Sequence, residues 1–187
     1  LNADRPEART ALGNFLARQG DDEAAKAQYR AALKLDPSFA AAAINLADLY
    51  RQRRRDGDGE RILREALARS PRDAALRHAL GLTLVRLKRG EAALEELRQA
   101  AMLDSGQPRY AYVYAVGLHA AGRRDQALAV LRDSLREHPN NPDLLSAAFA
   151  FSRESGDAVA ALEYAERMAR LRPGDRGLAD VIRQLKR

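Results

Sequence analysis

Cysteine is absent from the 187 residues. That excludes disulfides, thiolate metal sites, haem attachment through cysteine and cysteine catalysis within this chain. Aromatics make up only 5 %, and 7 prolines and 12 glycines punctuate the sequence, a balance that suits many short helices better than sheets. No apolar run approaches the roughly 20 residues of a membrane-crossing helix, and no charged-then-apolar leader opens the chain. The reading is a soluble segment without a membrane span. Leu1 stands first rather than Met, which points to a piece of something longer. A one-sided charge is missing too: 32 basic residues face 26 acidic ones, for a net charge of +6, and the two signs interleave. Such a pattern makes a salt-bridge-laced helical surface and gives weak footing for nucleic acid.

What is present is a period. Pro37, Pro71, Pro139 and Pro173 are separated by 34, 68 and 34 residues, and the missing register position is Ser105. Units then span 6–39, 40–73, 74–107, 108–141 and 142–175, with a capping helix over 176–187. Sizes recur in phase. The eighth place of a unit is small in Gly13, Ala47, Gly81 and Ala115, and the twentieth in Ala25, Gly59, Ala93, Ala127 and Ala161. Large residues stand between them: Leu12, Leu46, Leu80 and Tyr114 on the first helix, and Tyr29, Leu63, Leu97 and Leu131 on the second. Gly20, Gly122 and Gly156 suit left-handed helix ends.

These residues resemble the tetratricopeptide repeat, a helix-turn-helix unit with a small residue after a large one, a later alanine and a closing proline. The resemblance covers residues 6 to 175 and implies an all-α, right-handed solenoid, a single domain over 1–187. The fifth unit departs most, with Phe149 and Met168 where small residues belong, so its helix contacts are expected to be looser or shifted. More faintly, "NLADLYR" and "YAYVYAVGLHAAGR" are similar to the C-terminal repeat segment of bacterial multihaem cytochrome-family proteins. The sequence leaves the compartment open between cytoplasmic and, where that resemblance applies, periplasmic.

Arg109 to Val116, "RYAYVYAV", has the local alternation of a strand. The repeat phase places it on a first helix instead. At about 100° per residue, Tyr110 and Tyr114 share one face and Tyr112 points the opposite way. Tyr114 takes a core place, while Tyr112, Val116 and His119 form a stripe on the face that, by the resemblance, lines an inner groove.

That groove implies a protein or peptide ligand. The candidate site residues are Asn14, Asn45, Asp48, Arg51, His78, Leu82, Arg86, Arg109, Tyr112, Val116 and His119. Some relatives clamp a chaperone C-terminal carboxylate, and Asn14 and Asn45 match two places of that clamp. Thr10, Ala75 and Ala79 stand where its cations belong, which argues against that ligand. Arginines 51, 86 and 109 suit forked hydrogen bonds to an acidic or backbone-rich ligand, although exposed arginine on a helix is ordinarily a solvated charge.

Other signals fail on chemistry. "RRRDGDGE" has Asp56, Asp58 and Glu60, but Leu67 stands where a calcium loop needs its bidentate glutamate. It reads as a solvated turn, and Gly57 and Gly59 weaken the helix after it. No nucleophile-base-acid set or phosphate loop occurs, and His78, His119 and His138 lack ligand spacing, so neither enzyme, cofactor nor metal is expected. The functional expectation is a noncatalytic interaction scaffold, for which homo-oligomerisation is open. The alternative is an accessory arm of a larger enzyme, such as a multihaem redox protein, that mediates docking or oligomerisation.

Overall fold

The computed structural model describes residues 5–186; Leu1 to Asp4 and Arg187, which the expected bounds include, lie outside the described residues. All regular structure among those described is α-helical. Five first helices, α1 (Pro6–Arg18), α3 (Ala40–Gln52), α5 (Ala74–Arg86), α7 (Pro108–Ala120) and α9 (Pro142–Glu154), alternate with five second helices. These are α2 (Asp22–Leu35), α4 (Asp56–Arg69), α6 (Gly90–Leu103), α8 (Arg124–Glu137) and α10 (Ala158–Leu171), and α11 (Arg176–Leu185) follows. First helices have 13 residues and second helices 14. Their starts recur every 34 positions, as the prolines predict.

Composition explains the helices: Ala, Leu, Arg and Glu lose little side-chain freedom in a helix. Local chemistry sets their starts. Asp21, Asp73, Asp157 and Asp175 each accept the backbone N–H three residues on, at 2.8 to 3.1 Å, satisfying donors that a helix start leaves open. "RYAYVYAV" lies within α7, so the alternating tyrosines are two faces of a helix.

The helices group into two compact units, α1–α6 and α7–α11. In the first, α1, α3 and α5 pack against α2, α4 and α6, while α2 and α4 also pack on α3 and α5. In the second, α7 and α9 pair with α8 and α10, α8 packs on α9, and α11 on α10.

Close approach within a pair depends on size. A Cβ on Gly81 would stand 2.7 Å from Leu97 Cγ, and one on Gly13 2.6 Å from Tyr29 Cε1. The eighth and twenty-fourth places therefore share one volume. In the fifth pair the sizes are exchanged, with Phe149 at the eighth place and Ala165 at the twenty-fourth. With that exchange α9 and α10 start in phase with the other pairs, although Phe149 and Met168 taken alone predict looser or shifted contacts; Met168 itself is buried.

The turn within every pair uses a left-handed residue at one place: Gly20, Gly122 and Gly156, but also Arg54 (φ 57°) and Lys88 (φ 58°). The helix α4 begins at Asp56, so of "RRRDGDGE" only Arg53 to Arg55 is turn. Gly59 is buried there, 3.5 Å from Ala47 Cβ if given a Cβ of its own.

One core assignment needs correction. Leu46 and Leu80 are fully buried, whereas Tyr114 is only half-buried and Leu12 is 44 % exposed.

Candidate functional site

In the first unit, Asn14, Asn45 and Asp48 come together on α1 and α3 around a pocket of about 310 Å³, joined by Arg18, Tyr29 and Gln52. Positions 14 and 45 lie in neighbouring first helices, so the repeat brings them side by side. Asn14 Oδ1 accepts from the Tyr29 hydroxyl and from Asn45 Nδ2, both at 2.8 Å. Tyr29 is buried, and its phenol is pushed above the usual tyrosine range by that burial; nearby Arg18 opposes the effect and Asp48 adds to it. The hydroxyl thus stays a donor and fixes the Asn14 carboxamide.

The other first-unit candidates divide. Arg51 Nε donates to Asp48 Oδ1 at 3.1 Å along α3. Arg86 is tied to Asp56 at 2.6 Å and to Thr83 Oγ1 at 3.0 Å, bracing α5 against the start of α4. His78 is buried, and Leu82 is half-buried.

In the second unit, Arg109 and Tyr112 share a pocket of about 370 Å³ with Gln107, Val113, Asn141 and Asp143. Val116 is exposed. His119 stacks on Phe151 with ring centroids 3.9 Å apart and planes 7° apart. Its Nε2 stands 2.8 Å from Glu154 Oε2, close but not aligned as a hydrogen bond.

Three contributors carry no site signal of their own in the sequence. Tyr29 takes a core place by its register and is buried, but its hydroxyl also sets Asn14. Asn141 and Asp143 start α9, yet line the pocket of Arg109 and Tyr112. Their distance from α7 along the chain hides them; the 34-residue phase was the only signal, since Asn141 and Gln107 share a register place. Among the described residues no group of three or more His, Asp or Glu is placed to hold a metal ion, and no helix is long and apolar enough to cross a membrane. What these sites offer is hydrogen bonding and apolar contact.

The tetratricopeptide repeat family model matches residues 9–137 and again 43–172. Cellulose synthase operon protein C of Xanthomonas axonopodis pv. citri is 31 % identical over 176 residues, 90 % of this chain and 12 % of that protein. The type IV pilus assembly protein PilF of Pseudomonas aeruginosa is 32 % identical over 146 residues, 75 % of this chain and 58 % of its own length. This chain thus spans between 12 % and 58 % of the length of these two relatives. A solved structure of Pseudomonas aeruginosa PilF superposes with a TM-score of 0.76 at 25 % identity, over 96 % of this chain and 82 % of that one. YrrB, described as a TPR protein with an unusual peptide-binding site, gives a TM-score of 0.68 at 22 % identity, over 96 % and 92 % of the two chains. With the 34-residue helix pairs, the in-phase small residues and a family match over most of its length, this chain belongs to the tetratricopeptide repeat family.

Proposed function

We propose that this chain is a noncatalytic scaffold whose first-helix surfaces bind an extended segment of a partner protein. The observation that carries the reading is the Asn14–Asn45 pair. Asn14 Oδ1 is doubly engaged by Tyr29 and Asn45, which leaves the Asn14 amide N–H groups as donors and Asn45 Oδ1 as acceptor beside the pocket. One donor and one acceptor side by side complement a peptide bond, whose N–H and C=O both need partners. Arg18 and Asp48 flank them and give the pocket both signs of charge. In the second unit, Tyr112 supplies an aromatic contact and Arg109 a forked donor for the same kind of ligand.

The test is a pull-down with the intact chain, followed by calorimetry with the captured partner. Asn14→Ala with Asn45→Ala should weaken binding by about tenfold or more, as loss of two buried hydrogen bonds implies, with unchanged helicity. Wild-type affinity in that double variant, and also in Tyr112→Ala, would count against the reading.

A second reading, an accessory arm of a larger assembly, draws on the relatives' names. Cellulose synthase operon protein C and the type IV pilus assembly protein PilF carry a stretch similar to this one within longer chains. Under that reading the bound segment belongs to another component of the same assembly.

A further inference from the structure

The loops joining successive helix pairs each present a backbone carbonyl at the proline place, and the repeats can be compared there. Arg77, on α5, donates from Nε and Nη2 to the Pro71 carbonyl at 2.9 and 2.7 Å and from Nη1 to Glu96 Oε2 at 2.7 Å. The Ser105 carbonyl lies 2.8 Å from His138 Nε2. The Pro139 carbonyl accepts from Arg167 Nη2 at 2.8 Å, and the Arg167 guanidinium lies 5.9 Å from the Tyr164 ring centre. Three such carbonyls thus have a side-chain nitrogen on them, and two of the three are served by arginine.

The fourth is Pro37, between α2 and α3, and among the described residues no hydrogen bond reaches its carbonyl. The register explains why. Where Arg77 stands in the third repeat, the second has Ala43; where Arg167 stands in the fifth, the second has Glu65; and where Glu96 pairs with Arg77, the second has Ile62. Those substitutions remove both arginine routes, and Ser70 stands where His138 serves Ser105. In their place is a pocket of about 500 Å³ on the second-helix side of the first unit, walled by Leu33, Ile62 and Ala66, with Pro37 and Glu65 on its lining. A proline-loop carbonyl and apolar packing for a methylene stem are kept, and Glu65, in the place of Arg167, supplies a carboxylate that the place of Glu96 does not.

We propose that this pocket receives an arginine side chain from a partner protein, its guanidinium donating to the Pro37 carbonyl and to Glu65 while its stem lies on Leu33, Ile62 and Ala66. Arginine is preferred to lysine because the internal examples use the planar fork, with two nitrogens of Arg77 on a single carbonyl. Glu65 already accepts from Arg61 Nη1 at Oε1, 3.1 Å away, and because that pair is exposed the guest competes with it at little cost. Arg69 also lines the pocket and limits affinity through like charge. This site is built from second helices and is independent of the first-helix surface proposed above.

The probe is acetyl-Ala-Arg-Ala-amide, titrated into the intact 15N-labelled chain, with its citrulline counterpart as the neutral isostere. Saturable shifts are expected at the Ser38, Ile62 and Ala66 amides in the millimolar range fitting a single side chain, with citrulline about tenfold weaker. Glu65→Arg places a guanidinium where Arg167 has one, so it should abolish those shifts while keeping wild-type circular dichroism. Arg69→Ala should tighten binding severalfold. Equal binding of the citrulline peptide, undiminished binding by Glu65→Arg, or shifts confined to other acidic surfaces would each overturn the proposal.

Discussion

A side chain on Gly13 would meet Tyr29 at 2.6 Å, so the bare backbone at 13 is what lets the Tyr29 ring lie where its hydroxyl reaches Asn14. Packing and site share one contact. Gly13→Ala should therefore destabilise the first unit by about 1 to 3 kcal/mol, the usual range for overpacking. Tyr29→Phe should cost less, about 1 kcal/mol for one hydrogen bond, but it frees the Asn14 carboxamide. Denaturant unfolding would rank the two variants; a Gly13→Ala protein as stable as wild type would mean that the ring yields freely.

Arg54 and Lys88 hold the left-handed conformation that glycine supplies in the other three pairs. A residue with a Cβ pays about 1 kcal/mol there. Arg54→Gly and Lys88→Gly should each raise stability by about 0.5 to 1 kcal/mol, against the usual direction for glycine. Thermal unfolding of the single and double variants would check it, the double showing near-additive gains.

The exchange of sizes in the fifth pair makes a coupled prediction. Phe149→Ala should lose about 2 kcal/mol or more from a half-buried ring. Ala165→Leu should lose about 1 to 3 kcal/mol by overpacking against Phe149. The double variant restores the arrangement of the other pairs, so it should be more stable than the sum of the single losses. A double-mutant cycle with no coupling would show that the two places do not share a volume.

Burial also raises the phenol of Tyr164, helped by the nearby Glu163 carboxylate. Tyr29 and Tyr164 therefore hold their protons more tightly in the folded chain than in the unfolded one. Their contribution is fully present below the unfolded value of about 10 and is lost as pH rises through the higher folded values. Unfolding midpoints measured between about pH 9 and 12 should fall more steeply for wild type than for Tyr29→Phe/Tyr164→Phe.

Two tyrosines of α7, Tyr114 and Tyr112, separate by role. Because Tyr114 is half-buried, Tyr114→Ala should cost about 2 kcal/mol, below the roughly 3 to 5 kcal/mol of a fully buried ring. Tyr112→Ala should leave unfolding nearly unchanged and weaken partner binding by about 1 to 2 kcal/mol. Paired calorimetry and thermal melts would separate the two.

The fold was legible because it is periodic. Proline spacing and the in-phase small residues define a contact that every pair must make, so the 34-residue recurrence of helix pairs follows from the sequence. Of the candidate residues, Asn14, Asn45 and Asp48 share a pocket because neighbouring first helices pack side by side, and Arg109 and Tyr112 share one because they stand one turn apart on α7. Tertiary structure alone decided what each side chain does on arrival. Arg86 is committed to Asp56, Asn14 is oriented by a hydroxyl from another helix, and Pro37 lacks the arginine that serves Pro71. Such outcomes turn on ångström-scale distances between groups far apart in the chain, whereas the repeat turns only on size and spacing, which a sequence displays directly.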